Sequence, residues 1–156
     1  MGERPDDLRV PVDSAVLGYG PMLPLVLAAL AVWLADGVLP AIAVRLAIIW
    51  AALVLTFIGG VRRGFGFALE RTSTRSEIAS STAYFVLAGL ALVAPRADLA
   101  LGLLAFGFLL AAVLDRRAAL RGNAPSHFAR LRPPQLGIGT LALAAIWARL
   151  TFGGPA

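Results

Sequence analysis

The side chains of this 156-residue chain that could do chemistry are few and mostly of one kind. All fourteen basic residues are arginine, against nine acids, one histidine and no cysteine. Without cysteine there is no thiolate metal site, no disulfide framework and no thiol nucleophile. His127 alone cannot build a multi-histidine metal cage, and as a general base it needs an adjacent nucleophile or carboxylate. Ser126 is the nearest such neighbour in sequence, so a solvated or interfacial histidine is the favoured reading. Arg62 and Arg63 sit in a segment with four glycines in eight residues, Gly59 to Gly66. It is no phosphate-binding loop, because there is no lysine and no strand before it. Gly60 and Gly64 have the GxxxG spacing that lets two helix backbones approach closely. The favoured reading is a tight helix crossing with an arginine anchor at the interface. The alternative is a helix end opened by glycine for a partner helix or a lipid headgroup, with Arg62 and Arg63 as donors.

Arg45 is the one charge read as lying inside an apolar run. It falls six residues past Leu39, roughly 9 Å at helical rise, shallow enough for its head to reach the interface. Asp36 is its candidate partner and Asp98 a second one. A proton or anion site there would need another buried ionisable group, and none is evident from the sequence.

These residues are set in an apolar frame. Hydrophobic residues make up 59% of the chain and charged residues 15%, where soluble domains have about 45–50% and about 25%. The mean hydropathy is +0.81. Too little polar surface remains to cover a water-soluble domain of this size. The pI near 11.2 does not indicate nucleic acid, because the arginines lie between apolar runs and are not interleaved with stacking aromatics.

Five apolar runs follow, at 16–34, 39–61, 78–94, 98–114 and 133–152, after an arm over residues 1–15. About 20 helical residues cross about 30 Å of hydrocarbon, so the shorter runs need flanking residues or local thinning. Consecutive leucine and alanine replace the alternation of a barrel strand, and a helix satisfies its own backbone in lipid. The expected fold is an all-α bundle of five transmembrane helices with 1–2 and 3–4 as tight hairpins. With the amino terminus cytoplasmic, eleven arginines face inward: Arg4, Arg9, Arg62, Arg63, Arg71, Arg75, Arg116, Arg117, Arg121, Arg130 and Arg132. Only Arg45, Arg96 and Arg149 face outward, as the positive-inside rule requires. The acidic residues of the arm argue for a retained first span rather than a signal peptide. Pro21 and Pro24 read as the start of the first helix, with a helix broken near one leaflet as the alternative.

Two segments carry a likeness beyond composition. Leu17, Gly18, Leu23 and Pro24 open the first span, and Phe57, Gly59, Gly60, Val61, Arg62 and Gly64 close the second. Together they resemble the transmembrane protein 69 family of proteobacteria and mitochondria, catalogued as a domain of unknown function. Asp115 and the run Pro125, Leu131, Arg132 are similar to that family's later aspartate and Leu-Arg segment. Pro21 stands where glycine is usual, Arg63 where tryptophan is usual and Trp50 where tyrosine is common. The resemblance implies a polytopic inner-membrane fold and no settled activity.

The expected role is that of a non-catalytic inner-membrane accessory subunit or assembly partner of a larger energy-transducing complex. Its partners would be the lipid bilayer and other membrane subunits, with no nucleic acid and no cofactor beyond structural lipid. Gly18, Pro24, Gly59, Gly60 and Gly64 are the expected packing positions. Arg62, Arg63, Arg116, Arg117, Arg121, Arg130 and Arg132 are the expected contacts to anionic phospholipid or a partner. A small oligomeric transporter or channel is the alternative. An intramembrane enzyme ranks last, since it needs paired ionisable groups within the spans.

Overall fold

A computed structural model describes residues 12–68 and 75–153. Arg4, Arg9 and Arg71, and the first eleven residues of the arm, lie outside the described residues. Among the described residues every long element is a helix: α1 (Val12–Tyr19), a 3-10 turn (Gly20–Met22), α2 (Leu23–Leu34), α3 (Leu39–Ala68), α4 (Arg75–Val93), α5 (Ala97–Leu120) and α6 (Phe128–Phe152). Taking α1, the 3-10 turn and α2 as one crossing, five helical units are long and apolar enough to cross a membrane. In each, only 28–39% of the most apolar window is buried. The outward faces carry Leu27, Leu53, Phe57, Phe85, Leu109 and Leu141, all exposed, which water would penalise and hydrocarbon does not. The chain is a multi-pass membrane protein.

The helices close a ring in which α2 meets α3, α3 meets α4, α4 meets α5, α5 meets α6 and α6 returns to α2. The α5–α6 contact is the most extensive, and α3 also reaches α5 across the ring. Small residues let this happen. Ala47, Ala51 and Ala52 of α3 are buried, and Gly139 of α6 lies directly under the Phe108 ring of α5. In lipid, where apolar burial gives little drive, such close backbone packing is a main source of helix association.

Several helix limits differ from the sequence reading. The first crossing does not start near Pro21. It begins at Val12 and is broken at Gly20–Met22, so the alternative of a helix interrupted near one end is the correct one. The Trp50 indole donates to the Pro21 carbonyl at 2.8 Å, satisfying an acceptor in the interrupted turn. α3 does not loosen at its glycines but continues to Ala68. α6 starts at Phe128, so Pro133 and Pro134 are interior. α5 ends where Gly122 takes φ 72°, with Asn123 N–H on the Ala118 carbonyl and Gly122 N–H on that of Ala119, a Schellman cap.

At the end opposite most arginines, Arg45 is exposed and no ion pair joins it to Asp36 among the described residues. Asp98 does not pair with it either. Its partner is Arg96, with Nε 3.0 Å from Oδ1 and Nη2 2.7 Å from Oδ2. Arg45 is thus an outward-facing arginine on α3 with no ion pair among the described residues.

Candidate functional site

The buried stripes of the helices continue past their apolar runs into polar residues at one end of the bundle. On α5 the core positions Leu101, Leu104, Phe108 and Ala111 lead on to Asp115. On α6 the stripe Ile146, Leu143, Gly139 and Gln135/Leu136 leads back to Arg132. On α3 Ala51, Leu55 and Ile58 lead to Arg62, and on α4 Ala91, Ala88 and Tyr84 lead to Ser80 and Glu77. Steps of three and four residues keep all of these on the inward faces. Arg62 lies about 35 Å along α3 from Leu39 at helical rise, which is one hydrocarbon thickness. The polar end therefore sits at the depth of one membrane interface.

Asp115 is the centre. Arg62 Nη1 lies 3.8 Å from its Oδ1 and Arg132 Nε 3.5 Å from its Oδ2. The Tyr84 hydroxyl donates to Oδ1 at 3.4 Å. Arg62 Nε also donates to Ser80 Oγ at 3.3 Å, and Ser80 Oγ donates to the Glu77 carbonyl at 3.2 Å. Arg132 Nη1 donates to Gln135 Oε1 at 3.4 Å, and its guanidinium lies 4.6 Å from the Phe128 ring centroid. The side chains of Arg62, Arg132 and Asp115 are only 6%, 8% and 4% exposed, and Glu77 is fully buried. Two guanidiniums, one carboxylate and one phenol thus tie α3, α4, α5 and α6 together. The two guanidiniums offset part of the cost of burying the carboxylate, and removing either would leave charge uncompensated between the helices.

This corrects the sequence reading in three ways. Arg62, expected as a lipid or partner contact, points inward, and Arg132, expected as the same, is buried in the cluster with one edge on the adjoining cavity. Arg45 is not the principal embedded charge, because the buried ionisable groups are Arg62, Glu77, Asp115 and Arg132. Gly60 and Gly64 do not form the internal crossing, since among the described residues nothing lies within 4 Å of where a methyl on either would stand. Gly59 does, with its α-carbon side 3.2 Å from the Ser81 carbonyl at the position a methyl would take. Gly18 packs against Leu131 and Gln135, whereas Pro24 is exposed. Arg116, Arg117, Arg121 and Arg130 are exposed and Arg63 is half-buried. With Arg62, Arg75 and Arg132 they make eight arginines at this end of the described chain, where Asp13, Glu77 and Asp115 are the carboxylates. Thr56, Ser81 and Thr140 donate back to their own helices.

A cavity of about 460 Å³ adjoins the cluster. It lies between α1, α3 and α6, where α3 and α6 barely meet. Leu17, Pro21, Trp50 and Phe57 line its apolar length, and Arg132 and Gln135 stand at its polar end. His127, just before α6, has its pKa pushed below the ordinary histidine value, first by burial and then by the Arg132 charge. Its ring meets Phe128 edge-on at 5.0 Å. Among the described residues no three metal-ligating side chains converge.

Comparison with known proteins gives one match. A family model described as a protein of unknown function (DUF3429) matches residues 10–151. No curated protein and no solved structure matches the chain.

Proposed function

Since the chain belongs to the DUF3429 family, we propose that it is a non-catalytic accessory subunit or assembly partner of a larger energy-transducing complex in an inner membrane. The observation that carries this reading is the engagement of Asp115 by Arg62, Arg132 and Tyr84, from three other helices. The chain's buried charges join helices to one another, and a cluster of this kind fixes helix positions within a bundle. The exposed apolar side chains Leu27, Leu53, Phe85, Leu109 and Leu141 are suited to packing against other membrane subunits. Gly60 is exposed beside Phe57, and among the described residues a methyl on Gly60 or Gly64 would meet nothing within 4 Å, which leaves a close-approach face open for another helix. The likeness to the transmembrane protein 69 family supports placement in a bacterial inner membrane. The arginine distribution supports an inward-facing cluster end.

Extraction from native membranes in a mild detergent tests this. The chain is expected to migrate well above its 16.3 kDa with a defined set of membrane proteins, whose level falls when the chain is deleted. A homogeneous lone monomer, with no protein depleted by its deletion, would overturn the reading. Labelling of single cysteines placed at Ser126 and at Asp36 tests the orientation, with Ser126 expected on the cytoplasmic side.

A further inference from the structure

The cavity beside Arg132 has a shape and a charge gradient that the helix lock does not require. Its long wall is α3 from Trp50 to Val61, roughly 16 Å at helical rise, about half of a 30 Å hydrocarbon core. It is therefore a trough about one leaflet deep. Its deep end, at Pro21 and Trp50, is apolar, and its polar side chains, Ser14, Arg132 and Gln135, gather at the interface end. Leu17, Leu53 and Phe57 on its walls are 75%, 57% and 67% exposed, so the trough opens sideways to the membrane. Arg132 is 6% exposed in total and lines the trough, with its Nε turned to Asp115 and its Nη1 donating to Gln135. The trough lies at an end where arginines outnumber carboxylates among the described residues.

We infer that this trough is a binding site for an anionic phospholipid of the leaflet on the arginine-rich side. One acyl chain lies along α3 toward Trp50, and the acidic headgroup rests at the Arg132–Gln135 end, with Ser14 also on the lining. A cavity of about 460 Å³ is within the range of ligand sites, and a cationic interface end selects for headgroup charge. This site does not depend on the existence of a partner complex.

The test uses the full chain in mild detergent, stripped of lipid and incubated with phosphatidylglycerol or phosphatidylcholine of matched acyl chains, with bound lipid read by native mass spectrometry. One equivalent of phosphatidylglycerol is expected to be retained, about fivefold more strongly than phosphatidylcholine for each arginine engaged. Arg130→Gln, on another face of α6 from the trough, is expected to leave that preference unchanged, and a fivefold fall would assign the preference to surface charge and overturn the site. Leu53→Trp, on the exposed wall, fills the trough and is expected to abolish retention of the single equivalent while leaving the folded mass and thermal transition intact. Equal retention of the two phospholipids would overturn the inference. So would unchanged retention in Leu53→Trp, or preferential binding of an isoprenoid quinone offered in competition.

Discussion

Arg132 on α6 reaches Asp115 on α5, with Nε 3.5 Å from Oδ2, and this pair holds together the two helices that share the most extensive interface in the bundle. Removing one member of a buried ion pair leaves its partner without a counter-charge, which costs about 3–5 kcal/mol. Asp115→Asn is therefore expected to destabilise the bundle by about that amount, because two guanidiniums lose their carboxylate at once. Replacing all three, as Arg62→Met, Asp115→Leu and Arg132→Met, is expected to return stability to the wild-type level or above it. Denaturation in mixed micelles followed by circular dichroism reads both. A triple variant as unstable as the single one would mean that the cluster does more than hold helices.

The glycines separate into two groups that the same measurement distinguishes. A methyl on Gly139 would stand 2.6 Å from Phe108 Cε2 and 2.9 Å from Met22 Sδ. Gly139→Ala is thus expected to cost about 1–3 kcal/mol through overpacking. Gly60→Ala meets nothing within 4 Å, and helix propensity alone makes it neutral or stabilising by up to about 1 kcal/mol in the isolated chain. If Gly60→Ala also dissociates a co-purifying complex, the open glycine face is the docking face.

Trp50→Phe keeps most of the ring but removes the donor to the Pro21 carbonyl. Loss of a hydrogen bond between membrane helices costs about 0.6 kcal/mol on average, with a maximum near 1.7. A loss in that range is expected, together with faster hydrogen exchange at Met22–Leu25. Exchange that stays at the wild-type rate would show that the broken turn is held by packing alone.

His127 makes stability depend on pH in a defined direction. Burial and the neighbouring Arg132 depress its pKa in the folded protein below the ordinary value of 6.5, so the unfolded chain binds the proton more readily. Its contribution is full above that value and is lost as the pH falls through the folded pKa. The thermal midpoint is expected to fall between about pH 7.5 and about pH 5, and His127→Gln is expected to flatten that fall. An equal pH slope in the variant would assign the dependence to other groups.

Much of the architecture was legible in one dimension. Hydrocarbon thickness is a local constraint, acting on each run of about 20 residues separately, and a run such as Leu39–Val61 can be read without knowing its neighbours. The cluster was harder to read. Arg62, Glu77, Asp115 and Arg132 all flank apolar runs, where a charged residue at the interface and one turned inward look the same. The available signal was periodic: Leu101, Leu104, Phe108 and Ala111 predict an inward residue at 115, and Leu143, Gly139 and Leu136 predict one at 132. The motif likeness also named Arg62, Asp115 and Arg132, but separately.

By itself the sequence determined that the chain is helical, crosses a membrane five times and concentrates arginine at one end. Composition and run length suffice for this, because lipid forces each segment to satisfy its own backbone. Only the tertiary structure decided which arginines turn inward, and that α6 begins before Pro133 rather than at it. Proline disfavours a helical residue before it, yet Arg132 is helical and held by Asp115. That tether comes from another helix, and no rule confined to neighbours in the chain contains it.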